Sequence, residues 1–166
     1  MRTQDRAFTT FVQHEADGLL RYSYLLTGNQ YQAQGLLQEG LLKVYFSWFR
    51  VADPKARPKY AQVVILREFL DWKRSAASQR ETLRAPQDRE LPTGPEPYGS
   101  VDSRGELEDI LRSLTPQQRA ALVLRYYLDL SIEETAALLG CSPGTVKAHC
   151  SRGLARARAK FDSTRD

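Results

Sequence analysis

Cationic side chains recur in the C-terminal part of the chain, and their chemistry is that of phosphate binding. Lys147 and Arg158 fall on one flank of a helix that would begin near Ser142. Arg152 and Arg156 fall on the other flank. The face between the flanks has almost no bulk and consists of Gly144, Ala148, Ser151 and Ala155. A slim helix edged by cations suits a DNA groove, where the flanks meet phosphates. An ordinary amphipathic surface helix is the alternative.

The residues around this helix predict a helix-turn-helix unit. Ser131 and Glu134 have the spacing of a capping box, which starts one helix. Gly140 suits the left-handed position after that helix, and Ser142 followed by Pro143 starts the next one. So short a joint makes two helices cross steeply, as in units that present their second helix to the major groove. The stripe expected to pack the second helix on the first is Val146, Cys150, Leu154 and Ala157.

No residue pattern points to bond chemistry. The chain lacks a phosphate-cradling glycine loop, and His14 has no evident catalytic partner. Cys141 and Cys150 have neither CxxC spacing nor a histidine cluster, so we expect reduced thiols. We therefore predict no enzyme, no catalytic residue, no cofactor, no metal and no small-molecule substrate.

Composition allows a real core and a nucleic-acid partner. Of the 166 residues, 42% are hydrophobic, which suffices for one domain or two small ones. The net charge of +4 permits nucleic-acid binding without demanding it. The apolar runs are far shorter than a membrane span, and the N-terminus lacks the apolar stretch of a signal peptide. We expect a cytoplasmic protein with no membrane insertion.

A change in composition divides the chain into two predicted domains. Between Ser75 and Gly105 the sequence holds four of the eight prolines and few large apolar residues, so it cannot form a core. We predict a helical domain at 1–75, a flexible proline-rich linker at 76–105 and a smaller helical domain at 106–166. The predicted fold class is all-α.

One N-terminal helix, expected from about Gln30 to Phe49, has two apolar faces. The predicted core stripe consists of Leu37, Leu41, Val44 and Trp48. Leu42, Phe46 and Phe49 lie nearly opposite, next to Gln38 and Glu39. Either both faces are buried within a bundle, or the second face docks on a partner protein.

A basic loop and a further helix follow. Aromatic residues near such cations could hold single-stranded nucleic acid, because bases stack on rings while phosphates meet cations. The alternative is that Trp48 and Trp72 are ordinary core residues. The cations concerned are Arg50, Lys55, Arg57 and Lys59 in the loop, with Lys73 and Arg74 at the end of the helix.

The chain resembles the extracytoplasmic-function sigma factors, especially the SigE-like group common in actinobacteria. Their region 4 is similar to the stretch from Leu114 to Arg158, LTPQQRAALVLRYYLDLSIEETAALLGCSPGTVKAHCSRGLARAR. Their region 2, in which the pattern L-V-Q-E marks the helix that grips RNA polymerase, is similar to LLRYSYLLTGNQYQAQGLLQEGLLKVY. The resemblance covers both predicted domains and leaves the linker uncovered.

This resemblance implies a region 2 bundle and a region 4 helix-turn-helix. It also implies a sigma factor that binds core RNA polymerase and directs promoter recognition, DNA opening and transcription initiation. The implied polymerase surfaces are the flap and the clamp coiled coil of the largest subunit, the latter contacted by Gln38, Glu39 and Leu42. The implied minus-10 and melting residues are Arg50, Lys55, Arg57, Lys59, Arg67, Trp72, Lys73 and Arg74. The implied minus-35 residues are Ser142, Thr145, Lys147, His149, Arg152 and Arg156.

The sequence departs from the family pattern at a few positions. Gln34 and Gly35 stand where relatives carry acidic residues before L-V-Q-E. Gln62, Val63 and Arg67 stand where a basic pair and an asparagine are usual. One alternative is therefore a sigma-like mimic that sequesters an anti-sigma factor, a class of partner that is also possible for a true sigma factor. Another is a one-component helix-turn-helix regulator, which would bind a palindrome as a dimer.

Overall fold

The computed structural model describes the backbone of residues 2–83 and 101–166, and the side chains of residues 2–76 and 105–166. Within these ranges the chain is helical and has no strand, as predicted. The α-helices are α1 (Thr3–Thr27), α2 (Gln30–Phe46), α3 (Arg57–Leu83), α4 (Val101–Ser113), α5 (Pro116–Leu122), α6 (Ile132–Leu139) and α7 (Pro143–Ser163). Short 3-10 turns at Trp48–Arg50 and Pro54–Ala56 precede α3, and a π-helical turn at Val123–Tyr127 follows α5.

The helices form two compact units. The first holds α1 as far as Tyr24, together with α2 and α3. The second holds the segment Leu25–Asn29 and the helices α4 to α7. Helices occupy both edges of the predicted linker, because α3 continues to Leu83 and α4 begins at Val101. The middle of that linker, residues 84–100, lies outside the described residues. The boundaries given above for the two domains and the linker thus stay predictions.

The core of the first unit combines aromatic and aliphatic side chains from all three of its helices. The ring of Trp48 lies 5.3 Å from the ring of Phe8 and 5.2 Å from that of Phe11, in the edge and tilted geometries that aromatic pairs favour. The Tyr22 hydroxyl donates to the Gln62 carbonyl at 3.0 Å and so ties α1 to α3. Burial raises the pKa of Tyr22. The buried set also includes Leu19, Ala33, Leu36, Val44, Ala61, Ile65, Leu66 and Phe69.

The packing of α2 on α3 differs from the predicted stripe. Val44 and Trp48 are buried as expected, but Leu37 and Leu41 are only partly buried. The fully covered positions nearby are instead Ala33, Leu36 and Gly40. The reason is a close approach of the two helices, since a Cβ atom at Gly40 would lie 2.6 Å from Cγ1 of Ile65. Gly40 therefore faces α3 at the closest contact, and Leu37 and Leu41 are only partly covered.

Replacing Gly40 with alanine should destabilise the chain. Overpacking a tight core costs about 1–3 kcal/mol, against a gain of about 1 kcal/mol from better helix propensity. Ile65 is fully buried and its Cγ1 is close to the backbone, so we expect a net loss of about 1 kcal/mol in a urea unfolding experiment. Gly18→Ala in α1 is the matched control, because a Cβ there meets no atom within 4 Å. It should stabilise the chain, and equal effects of the two variants would contradict this account.

In the second unit, helix caps fix where the helices begin, and a small apolar core joins them. Thr115 and Gln118 form a capping box at the start of α5, with Pro116 at the first helical position. The core that joins α5, α6 and α7 consists of Ala121, Ala136, Val146 and Cys150, flanked by Leu122, Ile132, Leu139 and Cys141.

No helix in the described ranges is long and apolar enough to cross a membrane.

Candidate functional site

The predicted helix-turn-helix is present, with each of its predicted caps in place. The Ser131 hydroxyl accepts from the Glu134 N–H at 3.0 Å, and the Glu134 carboxylate accepts from the Ser131 N–H at 3.3 Å. Gly140 adopts the left-handed conformation, with φ of 68°. Ser142 caps α7 by accepting from the Thr145 N–H at 3.1 Å. The turn therefore fixes the direction in which α7 leaves α6.

The buried side of α7 differs from the predicted stripe at one position. Val146 and Cys150 are buried as expected, but Leu154 is 47% exposed. Gly153 is buried in its place, since a Cβ there would lie 2.9 Å from Cδ1 of Leu122 in α5. The closest contact with α5 thus falls one residue before Leu154, which rotates that side chain into solvent.

The opposite side of α7 carries most of the predicted minus-35 residues. The side chains of Thr145, Lys147, Arg152 and Arg156 are exposed, and His149 is half-buried. The Ser142 hydroxyl is occupied in the cap and lies 2.9 Å from the Thr145 hydroxyl. On the slim face Gly144, Ser151 and Ala155 are exposed, and Ala148 is half-buried. The helix surface can therefore approach another backbone closely, with cations on both flanks.

The two cysteines support this unit structurally. Both are free thiols, with Cys150 buried and Cys141 half-buried in the turn. Burial raises the pKa of the Cys150 thiol, and the positive charge of Arg125 only partly opposes this. In the described part of the chain, no three His, Cys, Asp or Glu side chains come together in a way that could hold a metal ion.

The basic loop and α3 present the predicted minus-10 cations in two environments. Arg57 is half-buried, with its guanidinium carbon 4.2 Å from the centroid of the Trp48 ring and its Nε donating to the Val51 carbonyl at 3.4 Å. Lys73 is also half-buried, 5.7 Å from the Phe69 ring centroid. The exposed members are Arg50, Lys55, Lys59, Arg67 and Arg74.

The outer face of α2 is the second candidate surface. Gln38, Glu39 and Leu42 are exposed, as a docking face requires. The face continues toward the first 3-10 turn through Phe46, which is 70% exposed, and Phe49, which is 67% exposed. Sequence reasoning placed both phenylalanines on this side without assigning them a role. Their spacing of four and seven residues from Leu42 was the signal that they extend the same face.

Two polar contacts join this face to α3. The indole N–H of Trp72 donates to Oε2 of Glu39 at 2.9 Å. Lys43 forms an ion pair with Glu68, which is buried. Burial raises the pKa of the Glu68 carboxyl, but the hydrogen bonds from its neighbours and the charge of Lys43 outweigh that effect, so the pKa lies below its ordinary value. Trp72, predicted as a minus-10 residue, and Glu39, predicted as a polymerase contact, are therefore direct partners.

Comparison with known proteins finds relatives that span nearly the whole chain. Residues 104–156 match the family described as Sigma-70, region 4. The chain is 37% identical to the RNA polymerase sigma-E factor of Streptomyces avermitilis over 163 residues, covering 94% of this chain and 86% of the relative. It is 35% identical to the sigma-E factor of Streptomyces coelicolor, covering 93% of this chain and 85% of the relative.

A solved structure has the same fold. It is the sigma factor RpoE of Bartonella quintana, determined in complex with the anti-sigma factor NepR. The TM-score is 0.70 at 21% identity, covering 93% of this chain and 96% of that one. The relatives at 35–37% identity span both candidate surfaces. The chain belongs to the extracytoplasmic-function family of RNA polymerase sigma factors.

Proposed function

We propose that this chain is a sigma factor that binds core RNA polymerase, directs it to promoters and promotes DNA opening at the start site. The observation that carries the proposal is α7, a capped recognition helix with a slim exposed face between flanking cations. It performs no bond chemistry of its own. It acts where the polymerase and the chromosome are, which places it in the cytoplasm.

The minus-35 element is assigned to α7. Thr145 and Lys147 are exposed in the first turns of the helix, where a recognition helix contacts base edges, and Arg152 is exposed near its middle. Arg156 lies one turn further along and suits a phosphate. Ser142 is assigned mainly to the cap, with its hydroxyl at the helix start facing the DNA backbone, and half-buried His149 is assigned a flanking contact.

The minus-10 element and strand opening are assigned to the basic loop and to α3. Exposed cations can neutralise the phosphates of a separated strand, each contributing a slope of about 0.7 in the logarithmic salt dependence for single strands. The proposed residues are Arg50, Lys55, Lys59, Arg67 and Arg74, supported by the half-buried Arg57 and Lys73.

The outer face of α2 is assigned to the clamp coiled coil of the largest polymerase subunit, through Gln38, Glu39 and Leu42. The second unit is assigned to the flap. Each unit then binds a polymerase surface and a DNA element, and their covalent connection raises the effective concentration of the second contact. We therefore expect weak promoter binding by the isolated chain and strong, salt-sensitive binding by the holoenzyme.

Core-dependent run-off transcription on a random promoter library tests this proposal. The expected result is enrichment of templates with a shared pair of elements, together with a monomeric free chain by light scattering. A chain that binds an anti-sigma factor but directs no transcription would instead be a mimic. A dimer that binds a palindrome without core polymerase would be a one-component regulator. Either result would contradict the proposal.

Replacing Lys147 with alanine should weaken minus-35 recognition. A side chain that reads a base edge contributes about 1–3 kcal/mol, so holoenzyme affinity for an intact minus-35 promoter should fall about 10–100-fold. The measurement is a filter-binding titration on promoters with and without the element. Arg21→Ala is the control, because it removes the same charge from an exposed position on α1 outside the proposed sites. An equal loss of affinity on both promoters would indicate that Lys147 contacts a phosphate and not a base.

A further inference from the structure

Trp72 and Gly35 occupy matched positions on neighbouring helices. A Cβ atom at Gly35 in α2 would lie 3.7 Å from Cη2 of Trp72, so the indole of α3 rests against the helix surface that glycine leaves bare. Glycine within a helix costs about 1 kcal/mol relative to alanine. A Cβ atom at 3.7 Å is in ordinary contact with the ring, so position 35 has room for a methyl group but not for a long side chain.

The indole also fixes one side chain of the outer α2 face. Its N–H lies 2.9 Å from Oε2 of Glu39, which is exposed and lies one turn along α2 from Gly35. An exposed glutamate normally samples several rotamers, and ordering it at an interface has an entropic cost. The bond from Trp72 orders Glu39 before any partner arrives.

Trp72 and the exposed cations of α3 lie on different sides of the helix. At about 100° per residue, Arg67 and Arg74 lie within about 20° of each other, and both are exposed. Trp72 lies about 140–160° around the helix from them. One side of α3 therefore presents cations, and the other carries Trp72 against α2.

We propose that Trp72 is a positioning residue that holds the Glu39 carboxylate in the orientation required for binding core polymerase. This inference rests on the proposed function and assigns Trp72 to the polymerase side in place of the DNA contact expected from sequence. A small residue at position 35 is the second requirement, because a long side chain there would meet the Trp72 ring. Through Trp72, α3 sets the orientation of the Glu39 side chain on the outer face of α2.

A double-mutant cycle tests the proposal. The variants are Trp72→Phe, which keeps the ring but removes the N–H donor, Glu39→Ala, and the two combined. The affinity of labelled full-length chain for core polymerase is measured by fluorescence anisotropy. Trp72→Phe should weaken binding about 3–10-fold, the usual effect of losing one hydrogen bond. In the Glu39→Ala background it should have no further effect, because the group that it positions is gone.

A second measurement separates positioning from DNA contact. At saturating core polymerase, the affinity of the Trp72→Phe holoenzyme for promoter DNA should equal that of the wild type. A loss of DNA affinity with unchanged core affinity would overturn the proposal and return Trp72 to the minus-10 site. Additive effects in the cycle would also overturn it while leaving the sigma function intact. Failure of the wild-type chain to bind core would overturn the proposed function itself and this inference with it.

Gly35 provides an independent variant. Gly35→Glu places a long side chain where the Trp72 ring lies. We expect it to weaken core binding by a similar 3–10-fold, and to have little effect when Trp72 is replaced by alanine. Gly35→Ala is the matched control, since 3.7 Å is an ordinary contact distance for its Cβ atom. An equal loss with Gly35→Ala would contradict the steric argument.

Discussion

Replacing Leu42 with aspartate is expected to weaken binding to core RNA polymerase by at least about 100-fold. Leu42 lies within the exposed apolar face of α2 and is 56% exposed in the free chain. A partner that covers this face removes the side chain from water. A carboxylate at the same position would then be buried without a partner, and burying an unpaired charge is among the most costly changes at an interface. The measurement is an anisotropy titration with core polymerase.

The free chain should tolerate the same substitution, because Leu42 makes no part of the core of the first unit. Its unfolding midpoint in urea should stay within experimental error of the wild type. Leu42→Met is the matched control, since it keeps the apolar volume and should retain affinity within a few-fold. If Leu42→Asp binds as tightly as Leu42→Met, the outer face of α2 is not the docking surface.

Replacing Arg119 with methionine is expected to destabilise the second unit by about 3–5 kcal/mol, the largest effect on stability that we predict. Arg119 is only 6% exposed and donates to three backbone carbonyls within this unit. Its Nε lies 2.8 Å from the Leu26 carbonyl, and its Nη1 lies 3.0 Å from that of Leu111 and 2.8 Å from that of Leu114. Methionine fills the space of the side chain but leaves the Leu26 and Leu114 carbonyls without the Arg119 donor, whereas the Leu111 carbonyl still accepts from the Leu114 N–H at 3.2 Å.

Each unpaired buried carbonyl costs about 1–3 kcal/mol, which is why the effect exceeds that of an ordinary surface arginine. Arg112→Met is the matched control, because that arginine is half exposed and forms a surface pair with Glu108 at 2.8 Å. Such a pair contributes about 0–1 kcal/mol. Urea unfolding of the full chain measures both variants. A similar midpoint for the two would show that the carbonyls find other partners.

Some features of this protein could be predicted from sequence because they depend on neighbours along the chain. A cap needs one side chain within three residues of the N–H groups that it satisfies, so the spacing of Ser131 and Glu134 was sufficient. The left-handed turn at Gly140 and the start of α7 after Ser142 follow from equally local rules. The family resemblance added the assignment of surfaces, which no local rule supplies.

Helix faces were predicted less accurately, because burial depends on where a distant helix passes. Leu154 and Gly153 are adjacent in sequence, and periodicity favoured the leucine because it is apolar. In the structure Gly153 is buried and Leu154 is exposed, because the contact with Leu122 of α5 leaves room only for glycine. The same pattern occurs in α2, where Gly40 faces Ile65 and Leu41 is only partly covered.

The helical class, the caps and the helix-turn-helix follow from the order of residues alone, because they depend on hydrogen bonds and periodicities that span a few residues. Packing between helices placed Arg119 over three carbonyls, one at the end of α1 and two at the end of α4, and brought the indole of Trp72 to Glu39, 33 positions away. Contacts of that kind are decided by the distance and rotation between packed helices. Those quantities depend on side chains throughout the core, and no short stretch of the chain encodes them.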